Sequence, residues 1–384
     1  MNSIYLDYNA TTPVDPVVLS AMLPYLREDF GNPSSGHALG QRARDAVEGA
    51  REEVAALIGA SSDEIVFTSG GTEASNMAIR GAAKMQPDRC AVVTSNIEHP
   101  ATDACCALLE REGHPLRRVA AGRNGIVELA GVQVALLDDT ALVSVIHAQN
   151  EIGTLQPIAA IAKIARAAGA LVHTDAAQSI GKVPVDVNAL NVDLLSIAGH
   201  KLYAPKGIGA LYLRRGVKLP PLMVGAGQEL GRRPGTENVP YIVALGEACR
   251  LAAIALEETS ERIAALADCF RAKLAQAIPD IIVVGDPADR LPNTLNVLFP
   301  EVSGRQLLAN CPRVIASNGS ACHAEREEPS AILLAIGIPR EAALGAVRLS
   351  LGRMTTLDDV EAAAASLATT WRALRQQAPA RAAS

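Results

Sequence analysis

Glu64-Ile-Val-Phe-Thr-Ser-Gly-Gly-Thr-Glu73 runs from a short apolar strand through a turn of small residues into the start of a helix. That order aims several backbone N–H groups, and the positive end of a helix dipole, at one point. It is a cradle for an anion such as phosphate, to which Thr72 adds a hydroxyl. The stretch lacks the Lys of a P-loop and the spacing of a dinucleotide fingerprint. On each side the same alternation continues. Residues 41–58 place Ala43, Val47, Ala50, Val54 and Leu57 three and four apart, the spacing of an amphipathic helix. Apolar runs at 90–94, 141–146, 171–174, 194–197 and 209–213 read as buried strands, and a helical pattern at 158–168 separates two of them. Strands alternating with helices predict an α/β fold with a mostly parallel central sheet.

The last third reads differently. Residues 247–278 form a long helical stretch. Strand-like pieces follow at 281–284 and 295–299, then a helix near Pro329–Ile336, and Thr356 and Asp359 have the spacing of a helix cap. The expected division is a large domain over 13–255 and a smaller α+β domain built from 1–12 with 256–384. The tail beyond Gln377 is expected to fray.

The chain has 384 residues, enough for two domains at roughly 150 residues each. Hydrophobic residues make up 49% and charged residues 20%, the balance of a globular enzyme rather than a disordered chain. A net charge of −6 and 3% aromatics argue against a direct nucleic-acid partner, which needs a basic face or stacking platforms. The 7 cysteines are irregularly spaced and include no CxxC pair, so neither a disulfide framework nor a structural zinc site is expected. The N-terminus has no signal-peptide pattern and no charge-free run is long enough to span a membrane, so a cytoplasmic location is expected.

Three further stretches carry chemistry. Lys201 lies beside His200, after an apolar strand and before Pro205-Lys206-Gly207, the setting of a partly buried Schiff-base lysine. His173-Thr-Asp175-Ala-Ala-Gln178 is a polar cluster at the end of an apolar strand, where α/β sheets bind ligands. Cys322 lies in a polar, small-residue loop, Ser317-Asn-Gly-Ser-Ala-Cys322-His323, and is the best candidate for a reactive thiolate. His323, adjacent in extended chain, points away from it and is a poor candidate for its base. A phosphate cradle, a lysine, an aspartate and an exposed cysteine together fit pyridoxal phosphate (PLP) chemistry with a sulfur step.

In ordered motifs over nearly its whole length, the sequence resembles the NifS/IscS-type cysteine desulfurases of the class V aminotransferase family. The motifs are Tyr5-Leu-Asp-Tyr-Asn-Ala-Thr-Thr-Pro13, Phe30-Gly-Asn-Pro-Ser34, Glu98-His-Pro100, Asn150-Glu-Ile-Gly153, Gly199-His-Lys201, Arg233-Pro-Gly-Thr-Glu-Asn238 and Val347-Arg-Leu-Ser-Leu-Gly-Arg353. The resemblance implies the PLP-dependent aminotransferase type I fold and a homodimer with shared sites. It implies that Lys201 carries PLP and moves the substrate Cα proton, that Asp175 holds the ring nitrogen, that Gln178 bonds the ring oxygen, and that His99 stacks on the ring and helps proton transfer. Gly71, Thr72 and His200 would hold the phosphate, and Thr236 would reach the phosphate of the neighbouring subunit. Asn32, Asn150 and Arg348 would bind the substrate carboxylate. Cys322 would take sulfur from L-cysteine as a persulfide, leaving L-alanine, and pass it to an Fe–S scaffold or another acceptor protein. Two other readings follow from the residues: a selenocysteine or C–S lyase on the same fold, and a sulfur-relay or scaffold-binding protein with weak catalysis. The chain departs from the family at Ala198, where a serine hydroxyl usually meets the phosphate, and in the charged run after Cys322.

Overall fold

The computed structural model describes residues 3–85, 88–319 and 328–377. Its main sheet has seven strands in the spatial order Ile65–Thr68, Gly209–Leu213, Leu194–Ala198, Leu171–Asp175, Thr140–Ser144, Ala91–Ser95, Leu116–Val119. Gly209–Leu213 runs antiparallel to both neighbours, and the remaining pairs are parallel. The central strands are buried along nearly their whole length, as their near-continuous apolar runs require in a sheet covered on both faces. Most of the expected strands and helices lie within a few residues of their observed bounds. Helix Ala38–Leu57 covers the 41–58 pattern, and helix Ile158–Ala167 covers 158–168. The direction of Gly209–Leu213 leaves no trace in its composition.

The topology brings one edge of the sheet into use. Strands ending at Thr68, Ser95, Ser144, Asp175 and Ala198 all deliver their C-terminal ends there. Asp175 pairs in register with Ser196, so the chain following each strand emerges side by side with the other.

A second core surrounds a three-stranded antiparallel sheet, Ala346–Ser350, Thr294–Leu298, Ile282–Val284. The N-terminal strand Ile4–Tyr5 pairs with Val314–Ile315, and Ile4 and Leu6 are buried with Phe270, Leu295, Val347 and Trp371. Helix Val239–Ala277 joins the two cores. Ile242, Leu245, Cys249 and Ala252 pack in the first and Ile263, Leu266, Phe270 and Leu274 in the second. Long and apolar enough by composition to cross a membrane, this helix lays a buried face against both. It begins eight residues earlier than the 247–278 pattern suggests and passes residue 255 unbroken. The division into 13–255 and 1–12 with 256–384 remains a proposal, supported by the change of core between Ala252 and Ile263. The close approach of this helix to Ala38–Leu57 rests on Gly246, where a Cβ would lie 2.6 Å from the Cα of Ala50. Among the described residues Cys90, Cys105, Cys106, Cys249, Cys269 and Cys311 are free thiols.

One buried ion pair pins the segment that crosses beneath the cradle strand. Arg51 donates to both carboxylate oxygens of Glu229, at 2.9 and 2.8 Å, and the N–H of Phe67 donates to the same carboxylate at 2.8 Å. The two side chains are 9% and 3% exposed, so neither charge has water to fall back on. Glu229 and Leu230 hold positive φ angles of 49° and 58°, strain that this fork maintains. Glu229→Ala leaves Arg51 with only the exposed Glu48 carboxylate, at 3.2 Å, as an ionic partner. Its expected cost is about 3 kcal/mol in chemical denaturation, the low end for a broken buried pair. A loss below about 1 kcal/mol, the level of an exposed pair, would show that the fork does not hold this segment.

Candidate active site

The edge described above closes over a cavity of about 290 Å³. Gly71, Thr72, His99 and Asn150 line it from one side of the sheet edge, and Asp175, Gln178, His200 and Lys201 complete it with several alanines. The alanines aside, these residues come from five separate stretches of sequence, each at or after the C-terminal end of a strand of the main sheet.

Helix Gly71–Ala83 starts at the cavity wall, and its first N–H groups have no partners within the helix. Gly70 has a φ of 151°, a conformation other residues resist, and lets the chain turn sharply from the strand. Gly71 is needed for a different reason: a Cβ there would press on the Cβ of Ala198 at 3.2 Å. The acid that follows is turned away. Glu73 accepts from the N–H of Ser69 at 2.7 Å and from Arg233 at 2.9 Å, so no carboxylate opposes an anion in the cradle.

Asp175 ends its strand, 6% exposed, and takes one hydrogen bond, from the N–H of Ala177 at 2.9 Å. Burial raises its pKa, while His99 and Lys201 pull it back down. It is an acceptor facing the cavity, in need of a cationic or N–H partner. His99 caps helix Pro100–Arg111, its Nδ1 accepting from the N–H of Ala101 at 3.1 Å. Burial, opposed by Asp175, keeps the ring below its ordinary pKa. A neutral ring with Nδ1 as acceptor carries its proton on Nε2.

Lys201 sits on a short 3₁₀ turn directly after strand Leu194–Ala198. Burial, with Arg348 adding to it, brings its ammonium down to about 8. The amine donates to the carbonyl of Asn9 and, at 2.9 Å, to that of Ala10. His200 is pushed down to about 4 by burial and is a neutral ring at pH 7, beside the Thr11 hydroxyl at 3.3 Å.

Three expected site residues lie off the cavity wall. Asn32 is exposed, its Oδ1 accepting from the N–H of Ser34 at 2.9 Å. Thr236 lines a separate open groove with Met223, Val224 and Gln228. Arg348, buried on strand Ala346–Ser350, stands behind Asn150, donating to its carbonyl at 3.1 Å and to Asp7 at 2.7 Å. Its Nε has no partner among the described residues. Cys322 and His323 fall outside the described residues. On the near side of that stretch the backbone of Ser317 pairs with Arg348, and on the far side the Ser330 hydroxyl donates to Glu151 at 2.5 Å.

Sequence reading missed the residue that anchors the site from behind. Asn9 is 1% exposed and its carbonyl accepts from both Lys201 and Gln178. Its signal was present, inside the motif at 5–13, but no local pattern assigned it a task. Glu98 was missed as well. It is buried, accepting from Ser95 at 2.5 Å and from the N–H of Ile146 at 3.0 Å, while Oε2 has no partner among the described residues. Burial pushes its carboxyl up to about 8, so it is a neutral acid at pH 7.

That shift predicts a pH dependence. Between the unfolded value near 4.5 and the folded value of about 8, the folded chain holds a proton at Glu98 that the unfolded chain has lost. Glu98's contribution is therefore full below pH 4.5 and fades as pH rises to 8, with a slope on the order of 1 kcal/mol per pH unit. Glu98→Gln, which cannot ionise, should flatten the fall in thermal stability between pH 5 and pH 8. An unchanged slope would mean that Glu98 is ionised in the fold.

Comparison with known proteins places the chain in a lineage. The family model for aminotransferase class-V matches residues 4–363. A cysteine desulfurase of Trichormus azollae is 46% identical over 358 residues, 93% of this chain and 90% of the relative. A cysteine desulfurase IscS of Dictyoglomus turgidum is 45% identical over 360 residues, covering 93% and 91%. Among solved structures, a NifS-like protein superposes with a TM-score of 0.90 at 35% identity, over 97% of this chain and all of that one. A structure of SspA in complex with cysteine superposes at 0.81 with 36% identity, over 91% of this chain and 99% of that one. A fold that gathers Lys201, Asp175 and His99 at one sheet edge, with such relatives along nearly its full length, belongs to the class-V aminotransferase family, in its cysteine desulfurase branch.

Proposed function

We propose that the cavity binds PLP and that the chain uses it to take sulfur from L-cysteine, forming L-alanine and a persulfide on Cys322. The observation that carries this reading is the convergence of an amine, a buried carboxylate and an anion cradle on one cavity. The residues fit the cofactor. Gly71, Thr72 and the helix start, with His200, would hold the phosphate. Asp175 would pair with the ring nitrogen, Gln178 would donate to the ring oxygen, and His99 would cover the ring face. Ala198 brings a methyl group where a hydroxyl would add one more bond to the phosphate, a difference of about 1–3 kcal/mol.

When bound, PLP supplies an electron sink that makes the Cα proton of the amino acid labile. The chain's own groups do the rest. Lys201, as a neutral amine, takes the proton from Cα, and the carbonyls of Asn9 and Ala10 dock that amine when it is free. Arg348 and Asn150 would orient the substrate carboxylate, Arg348 exchanging one of its present partners for it. Asn32 would join them only if its loop turned inward. The sulfur balance is closed. The Cys322 thiolate forms an S–S bond to the substrate sulfur, the substrate C–S bond breaks, and its carbon gains a proton to become the methyl group of alanine. Sulfur then leaves on an acceptor thiol of an Fe–S scaffold or another carrier protein. We propose that the working form is a homodimer, in which Thr236 of each subunit serves the other's phosphate site. Free thiols throughout the described residues suit a reducing, cytoplasmic setting.

Loading the protein with PLP should give an absorbance band that Lys201→Ala loses, with alanine formation falling at least about 10²-fold. Cys322→Ala should keep the band and lose sulfur transfer. Full cysteine turnover in that variant would overturn the persulfide step, and activity on selenocysteine alone would favour the lyase reading. Because Lys201 titrates at about 8, the neutral amine accumulates as pH rises. The rate of PLP loading should therefore climb from pH 6.5 to 8.5 and then level off. A rate independent of pH would contradict the lowered value.

A further inference from the structure

Behind the cavity lies a second lysine. Lys182 follows the turn after strand Leu171–Asp175, and its ammonium donates to Gln178 Oε1 at 2.7 Å and to Asn9 Oδ1 at 3.0 Å. Among the described residues no carboxylate is hydrogen-bonded to it. The orientation of both amides is settled independently of this lysine. Gln178 Nε2 faces the backbone carbonyl of Asn9 at 2.9 Å, and Asn9 Nδ2 faces that of Asn150 at 3.2 Å. A backbone carbonyl only accepts, so the nitrogen end of each amide must lie there and the oxygen end must face Lys182. Asn9 is saturated: Nδ2 also donates to Thr294 at 2.8 Å, and Oδ1 also accepts from Asn293 at 3.0 Å. Gln178 is not. One N–H goes to Asn9, and the other is left on a side chain that lines the cavity.

We propose that Lys182 is a positioning residue: it clamps the Gln178 amide so that the second N–H donates into the cavity, onto the ring oxygen of the bound cofactor. This rests on the reading that PLP occupies the cavity. Without the clamp, Gln178 keeps a single hydrogen bond and its amide can rotate away. Burial, reinforced by Lys201 and Arg348, holds the Lys182 ammonium well below its ordinary pKa. A neutral amine still has two N–H donors for the two oxygens.

The test is an absorbance titration of the PLP-loaded, full-length protein. A donor to the ring oxygen stabilises its negative charge and so weakens the hold on the neighbouring chromophore proton. Lys182→Met, similar in length but without donors, should raise the titration midpoint by about half a pH unit or more. The charged groups around the ring, Asp175, His99 and Lys201, with Arg348 and Asp7 beyond Asn150, are the same in both proteins. In a Gln178→Leu background, Lys182→Met should add no further shift, since the amide through which it acts is gone. An unchanged midpoint in Lys182→Met overturns the proposal. So does an undiminished shift in the Gln178→Leu background, which would mark Lys182 as a charge rather than a clamp. If the Met variant does not fold, Lys182→Leu, which also lacks donors, carries the same comparison. Failure of the PLP reading itself would look different: the wild-type protein would show no cofactor band to titrate.

Discussion

Parallel strands deliver their C-terminal ends to a single edge, and the site follows from that constraint. The central strands are buried on both faces, and the groups that meet the cavity come from their ends, where the chain emerges. Asp175, Lys201, His99 and the Gly71–Thr72 turn are neighbours because their strands are. The same packing excludes water from the edge, and exclusion sets the charge states. Burial raises the pKa of Asp175, lowers those of Lys201 and His99, and leaves each more dependent on the others than on solvent.

This dependence makes the second tier of residues matter. Glu98, one residue before His99, is a buried neutral acid tied to the backbone of Ile146, on the cavity wall. Asn9 spends its carbonyl on Lys201 and Gln178 and all of its amide on the frame around them. Where water is scarce, an unpaired polar atom costs more than a bond contributes, so these partners are as constrained as the groups they serve.

What the sequence showed and what it hid divide along these lines. Strand-turn-helix at 64–73 was legible because apolar runs, paired glycines and helical spacing are local signals. Lys201 and Asp175 were legible for the same reason: each follows its own strand. Lys182 was not, since a lone lysine in a turn carries no pattern, and its partner Asn9 lies 173 positions away. Asn9 itself meets Ser350 across 341 positions, a pairing no window of sequence contains. The reversal of Gly209–Leu213 was hidden because a strand buried on both faces has the same composition in either direction. Arg348 shows a third kind of gap. Its motif pointed to a carboxylate, while the fold keeps it occupied by Asn150 and Asp7.

The side chain of Asn9 touches both halves of the molecule: Thr294 and Asn293 on one side, Lys182 and the backbone of Asn150 on the other. Asn9 therefore lies on the seam between the two cores, next to the cavity wall at Ala10, and occupancy of that cavity is coupled to the folding equilibrium of the whole chain. A ligand held only by the folded state adds stability as the logarithm of its concentration over its dissociation constant. Cofactor supply in the cell would thus govern more than the fraction of active molecules. It would set how often the seam opens, and with it how long each chain survives the proteases that capture open states.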